Sequence, residues 1–224
     1  MEYLQVLKGI FIDEGRYRYI LNGLGFSLGV TVLAAVIGMV LGIIFALLRL
    51  SKISILEKSS IVYVALIRGT PAVVQLMVLA NVIFIGDLRE TPILVVAALA
   101  FGINSGAYVA EIIRAGIEGL DKGQMEAARS LGMNYGLAMQ EIILPQAVKR
   151  ILPTLVSEFI TLLKETSIVG FIGGVDLLRS ANIITSQTYR GVEPLLAVGF
   201  IYLILIALFT KLMRIVEGRL KVSD

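Results

Sequence analysis

An all-helical membrane fold with five crossings is what this sequence predicts, and three observations carry the prediction. Hydrophobic residues make up 57% of the 224 residues and charged residues only 17%, against about half and about a quarter in a soluble domain. The apolar excess falls in blocks of about 20 residues, the length a helix needs to cross a hydrocarbon core of about 30 Å. The 20 Lys and Arg residues gather at the ends of those blocks. That placement argues against nucleic acid as a partner despite the net charge of +3.

The elements follow in chain order within a single domain, 1–224. Segment 1–20 carries Glu2, Lys8, Asp13, Glu14, Arg16 and Arg18 ahead of the first apolar block. No short basic stretch therefore leads into a cleavable apolar one, and residues 6–11 read as a short amphipathic helix lying on the membrane. Spans are expected at about 24–48, 61–85, 92–113, 151–172 and 194–213. A polar turn at 86–91 joins the second and third. A polar stretch, 114–150, joins the third and fourth, and the loop 173–193 joins the fourth and fifth. Within that last loop, 176–193 reads as polar and exposed. With the N-terminus outside, twelve Lys and Arg residues fall on the side that holds 114–150 and the C-terminus, and six on the other. The excess of basic residues on cytoplasmic loops makes the first side the cytoplasm. Five spans and no visible repeat exclude an even-numbered inverted duplication.

Several chemistries drop out. The chain has no Cys, His or Trp, so disulfides and the usual zinc or haem ligand sets are excluded. No G-x-x-x-x-G-K-[ST] sequence is present, so the phosphate cradle of a P-loop is missing and ATP cannot be hydrolysed by that route. No catalytic residue, metal site or cofactor is assigned to this chain. Active pumping would need a separate ATPase acting through a contact, and 114–150 is the segment large enough to provide one.

Segment 114–150 is also the most informative. Asp121 and Gln124 have the spacing of a capping box. Ala127, Ala128 and Leu131 favour a helix that Gly132 can end in the left-handed conformation. Asn134 can cap a second short helix, which Pro145 would bound. The stretch Glu126-Ala127-Ala128, then Gly132, then Ile142-Ile143-Leu144-Pro145, matches the pattern E-A-A-x3-G-x9-I-x-L-P. With it the chain resembles the permease subunits of binding-protein-dependent ABC importers. Further stretches resemble the polar amino-acid branch of that family. These are Arg68-Gly69-Thr70-Pro71 with Gln75, Tyr108-Val109-Ala110-Glu111 with Arg114, and Leu163-Lys164-Glu165-Thr166-Ser167. The resemblance implies the type I importer permease fold and a bacterial cytoplasmic-membrane location. It implies that Glu126, Ala127, Ala128, Arg129 and Gly132 dock on ABC ATPase subunits, which bind the ATP and Mg. It also implies an extracytoplasmic amino-acid-binding protein and a second permease copy, a homodimer being preferred, all set in membrane lipid.

Charge inside the membrane points to the path. A charged side chain at the bilayer centre costs at least ~2.5–3.5 kcal/mol, so each must be paired or wet. Glu158 and Glu165 are seven residues apart and share a helix face with Thr161 between them. Asn104, Tyr108 and Glu111 likewise share a face. Pro71 breaks the hydrogen-bond ladder of the second span, as expected where a helix lines a cavity. The expected substrate-binding set is Arg68, Thr70, Gln75, Asn104, Tyr108, Glu158, Thr161 and Glu165. Carboxylates would hold an ammonium and Arg68 or freed N–H groups a carboxylate. Two acids on one face suit a basic amino acid. Two alternatives stay open: the charges can brace the spans without touching substrate, and an ion gradient can drive a secondary transporter. Small-residue pairs at Gly25/Gly29 and Gly38/Gly42 offer close helix packing.

Overall fold

The computed structural model describes residues 2–51, 53–83 and 91–221, and all regular structure in them is helical. The chain runs through α1 (Glu2–Phe11), α2 (Tyr17–Arg49), α3 (Ser54–Arg68), α4 (Ala72–Val78, extended by a π-turn to Ile83) and α5 (Ile93–Glu118). Next come α6 (Lys122–Ser130), α7 (Tyr135–Ala138), a π-turn (Met139–Ile143) and α8 (Leu144–Glu165). A 3-10 segment (Thr166–Ile172), α9 (Leu177–Thr188) and α10 (Val192–Lys221) complete it. The end of the second expected span and the turn at 86–91, apart from Thr91, lie outside the described residues, as do Lys52 and Arg89.

Among the described residues three stretches are long and apolar enough to cross a membrane: Asp13–Arg49, Ile93–Glu118 and Val192–Ile215. The pair α3 and α4 passes that test jointly, bent by 101° at the break between them. Helix α8, where the fourth crossing was expected, carries Lys149, Arg150, Glu158, Lys164 and Glu165 and is too charged to qualify by composition.

Helices α2 and α5 form the centre. The buried stripe of α2 reads Gly23, Ser27, Val30, Thr31, Ala34, Gly38, Gly42, Ala46, while Val32, Val36, Val40, Ile43 and Leu47 point away from the bundle. This is the reverse of a soluble helix. In lipid, large apolar residues gain nothing from turning inward, and small ones let backbones approach. The approach is close: a Cβ on Gly42 would lie 2.3 Å from Val109 Cγ1, and one on Gly38 would lie 2.9 Å from Ser105 Cβ. Gly102 and Gly106 of α5 meet Ile37 and Leu41 in return. Gly25, by contrast, has nothing within 4 Å of its missing Cβ. The packing sites are therefore Gly38 and Gly42.

Two apolar clusters flank this seam. Val30, Ala34, Leu76, Ala97, Phe101, Leu162 and Val169 tie α4, α8 and the 3-10 segment to it. Ile10, Ile20, Leu177, Ala181, Ile184 and Val198 gather α1, α9 and α10 around the start of α2. Segment 176–193 is thus not an exposed loop. Leu177, Ala181 and Ile184 recur at helical spacing and are buried, and α9 presses so closely on α2 that a Cβ on Gly23 would meet Ser180 Oγ at 2.1 Å. The amphipathic helix expected at 6–11 exists, and Val6, Ile10 and Phe11 spend their apolar surface on this cluster. Helix α10 packs along α8 and α9 but leaves Leu195, Leu196, Phe200, Leu203, Ile204 and Leu208 exposed.

Candidate functional site

The helix break in 54–83 is a consequence of Pro71. Proline has no N–H, so the Ile67 carbonyl loses the partner that a continuous helix would supply four residues on. The Gln75 side chain takes that place: its Nε2 donates to Ile67 O at 2.7 Å and to the Thr70 Oγ1 and carbonyl at 2.8 and 3.1 Å. Thr70 Oγ1 in turn donates to Leu66 O at 2.9 Å. The Gln75 Oε1 then faces α5 and accepts from Asn104 Nδ2 at 3.0 Å. Asn104 is buried and Thr70 exposed.

At the end of α3 this geometry directs Arg68 across to α5, where its guanidinium sits 5.1 Å from the centre of the Tyr108 ring. A cation so placed is held by the negative face of the ring. Arg68, Tyr108, Glu111, Arg150, Ile151 and Thr154 border an open cavity of about 320 Å³. On its other flank Arg68 shares a second hollow of about 240 Å³ with Arg49, Ser60 and Glu111. Arg68 is within electrostatic range of both Glu111 and Glu158.

Glu158 on α8 is half-buried and accepts a hydrogen bond from Ser105 Oγ at 2.9 Å. Ser105 neighbours Asn104 on α5, so adjacent α5 residues hold Gln75 of α4 and Glu158 of α8. Glu165, one face-repeat further along α8, lies within range of Glu158 and of Lys164. Thr161 is exposed between them and donates to Ser157 O at 3.0 Å. Glu111 is bound in an ion pair to Arg114, which also pairs with Glu118, and Arg150 donates to the Gly119 carbonyl at the end of α5. Ser105 and Arg150 were not among the residues expected from the sequence. Ser105 is marked only by its position one residue from Asn104. Arg150 is marked only as a cation opposite a helix C-terminus, where cations are favoured.

The loop segment is built by its caps. Asp121 Oδ1 accepts from Gly123 N at 2.9 Å to start α6, and Asn134 Oδ1 accepts from Leu137 N at 2.8 Å to start α7. Between them Gly132 stands at φ +91°, with Met133 N bonded to Ala128 O at 3.2 Å and Gly132 N to Arg129 O at 3.1 Å. These are the two bonds of a Schellman turn, which satisfy the last carbonyls of α6. The Gln124 side chain accepts from Gln146 Nε2 at 3.4 Å, tying α6 to the start of α8. Pro145 does not bound the second helix. The π-turn just before it absorbs the missing donor, and the helical run continues from Tyr135 to Glu165. Ala128 is buried, while Glu126, Ala127, Arg129 and Gly132 are exposed. Among the described residues no group of three or more His, Cys, Asp or Glu is placed to hold a metal ion.

Comparison with known proteins agrees with this architecture. Residues 38–222 match the family model described as "Binding-protein-dependent transport system inner membrane component". The arginine transport system permease protein ArtQ of Bacillus subtilis (strain 168) is 41% identical over 210 residues, which are 92% of this chain and 94% of the relative. A putative glutamine transport system permease protein GlnP of Rickettsia bellii is 39% identical over 207 residues, with the same coverage of each. Among solved structures, an amino acid ABC transporter crystallised with histidines superposes with a TM-score of 0.86 at 44% identity, covering 93% of this chain and 98% of that one. The inward-facing MetNI methionine ABC transporter, at 19% identity, shares the fold with a TM-score of 0.75 over 91% of this chain and 97% of its own. The chain therefore belongs to the family of binding-protein-dependent transport system inner membrane components: it is a multi-pass permease subunit of an amino-acid ABC importer, has the type I importer fold, carries no ATPase site of its own, and works with a separate ATPase and a binding protein.

Proposed function

We propose that this permease imports basic amino acids along a path walled by Arg68 and Tyr108 on one side and by Glu158 and Glu165 on the other. The observation that carries the reading is the opposed charge. A guanidinium held over Tyr108 lies within electrostatic range of a half-buried carboxylate held by Ser105. An α-amino acid presents a carboxylate to the first and an ammonium to the second, and Glu165 adds a second acid for a cationic side chain. Thr70 adds a hydroxyl on the Arg68 side and Thr161 one on the glutamate side, and Gln75 and Asn104 stand behind Thr70. The 41% identity to an arginine permease supports the basic preference.

The loop 114–150 is the lever. The exposed Glu126, Ala127, Arg129 and Gly132, over the buried Ala128, meet the ATPase subunits that bind ATP and Mg, and α8 carries the motion to Glu158. The chain is one domain with five crossings, α8 and its 3-10 extension being the fourth. It has its N-terminus outside, residues 1–20 at the membrane interface, a second copy of itself as partner, and lipid around it.

The test is reconstitution with the ATPase subunits and binding protein in liposomes. Arginine, lysine or histidine should stimulate ATP hydrolysis more than glutamine. Glu158→Gln and Glu165→Gln should each raise the KM for arginine about tenfold, the scale of one lost charge-assisted contact. Unchanged uptake and selectivity in both variants would sink the path assignment.

A further inference from the structure

We propose that Gln75 and Asn104 act as a splint that sets the bend between α3 and α4, and so aims Arg68, rather than as ligands of the transported molecule. The inference rests on the reading of Arg68 as a wall of the path. Chemistry fixes the direction of the relay. The nitrogen of the Gln75 carboxamide faces two carbonyls and a hydroxyl whose own hydrogen is already given to Leu66 O. Only the NH₂ end can face three acceptors. Its oxygen is therefore turned to α5, where it can only accept, and Asn104 supplies the donor. Both hydrogens of Gln75 are committed, and its oxygen is taken.

What the splint replaces is specific. Ile67 O is the carbonyl that Pro71 deprives of its donor four residues on, leaving it only long bonds from Thr70 N and Thr70 Oγ1, both at 3.4 Å, besides the short one from Gln75. The N–H that would have met it does not exist, because proline has none. Gln75, one turn beyond the proline, reaches back across the break to it. Because Asn104 is buried in α5, the relay also pins the broken helix to the most buried of the long helices. Arg68 lies between the spliced carbonyl and the break, so the angle of the break determines whether its guanidinium lands on Tyr108.

The experiment uses the full transporter with its ATPase subunits in liposomes and compares Gln75→Leu, Asn104→Ala and the double variant. Amide exchange over residues 66–76, followed by mass spectrometry, should speed up about tenfold in each single variant, as a lost buried bond lets the break open. The double variant should be no worse than Gln75→Leu alone, because both residues belong to one chain of bonds. The KM values for arginine and for glutamine should move by the same factor, since neither substrate loses a ligand of its own. Unchanged exchange, multiplied losses in the double variant, or a rise in KM for one substrate alone would each overturn the proposal. Asn104→Ala adds no bulk and carries the test where Gln75→Leu fails to assemble. Should Glu158→Gln leave uptake untouched while these three results hold, the splint stands and the path assignment alone falls.

Discussion

Gly25 and Gly42 lie on the same helix, yet the same substitution should move stability in opposite directions. A Cβ at Gly42 would stand 2.3 Å from Val109 Cγ1 and 2.5 Å from its Cβ. Carbon atoms pack at about 3.5–4.0 Å, so α2 and α5 would have to part by more than about 1 Å along their tightest stretch. Overpacking of this kind costs about 1–3 kcal/mol. Alanine offsets part of that through its better helix propensity, about 0.5–1 kcal/mol relative to glycine. Gly42→Ala is therefore expected to destabilise by up to about 2.5 kcal/mol. At Gly25 nothing lies within 4 Å, and only the propensity gain of about 0.5–1 kcal/mol remains. At about 2–4 °C per kcal/mol for a chain of this size, the two variants should melt on opposite sides of the parent. The chain has neither Trp nor Cys, so the transition is best followed by heating a fluorescent-protein fusion in detergent and measuring the surviving monodisperse peak. Val109→Ala should restore Gly42→Ala. Equal shifts in the two glycine variants, or no rescue, would refute the close-packed seam.

Three further outcomes follow from other parts of the molecule. Asp176 is fully buried and accepts from Gly170, Leu178 and Arg179 N–H groups at 3.1, 2.7 and 3.0 Å. Burial outweighs these donors and holds its carboxyl above the usual range, so the folded state binds a proton more readily than the unfolded one. The associated stability is present below the unfolded pKa and is lost as pH rises through the folded one. A thermal series upward from pH 4 should show that decline in the parent and not in Asp176→Asn. Gly132→Ala places a Cβ at φ +91° and costs roughly 1–2 kcal/mol locally. It should weaken amino-acid-stimulated ATP hydrolysis and lower the melting temperature by about 2–8 °C, at about 2–4 °C per kcal/mol, although its Cβ would touch nothing within 4 Å. Arg68→Lys keeps the charge but gives up the flat guanidinium over Tyr108, and uptake assays should show a KM several-fold higher, on the scale of about 1 kcal/mol.

What could be read from the residues depended on whether their partners were local. The caps at Asp121, Gly132 and Asn134 were legible because each acts on backbone two to five residues away. The break at Pro71 was legible because a missing donor is a property of one residue. Glu111 and Arg114 met as their i, i+3 spacing allows. The Gln75 bond to Ile67 O was not foreseen, although the count of four residues from Ile67 to Pro71 and four more to Gln75 is visible in the sequence. Helix α9 was missed because Arg179, Asn182, Ser186 and Gln187 dominate its composition. Leu177, Ala181 and Ile184 nevertheless carry the helical period. Which of the glycine pairs in α2 would be used was not legible at all. Gly25/Gly29 and Gly38/Gly42 look alike, and only the path of α5 across the second pair separates them. The π-turn before Pro145 is likewise a tertiary outcome, since a proline in sequence signals an end as readily as a detour.

Helix α10 touches the rest of the chain along one narrow line, where Val198 is buried and Phe159 meets Phe209 edge to face at 5.2 Å. Away from that line Leu195, Leu196, Phe200, Leu203, Ile204 and Leu208 are exposed. Such a helix keeps its station through the medium around it as much as through its own polypeptide. Whatever covers that face, lipid tail, detergent or the second copy proposed above, will be felt first at Phe200, Leu203 and Leu208, long before it reaches the glycine seam.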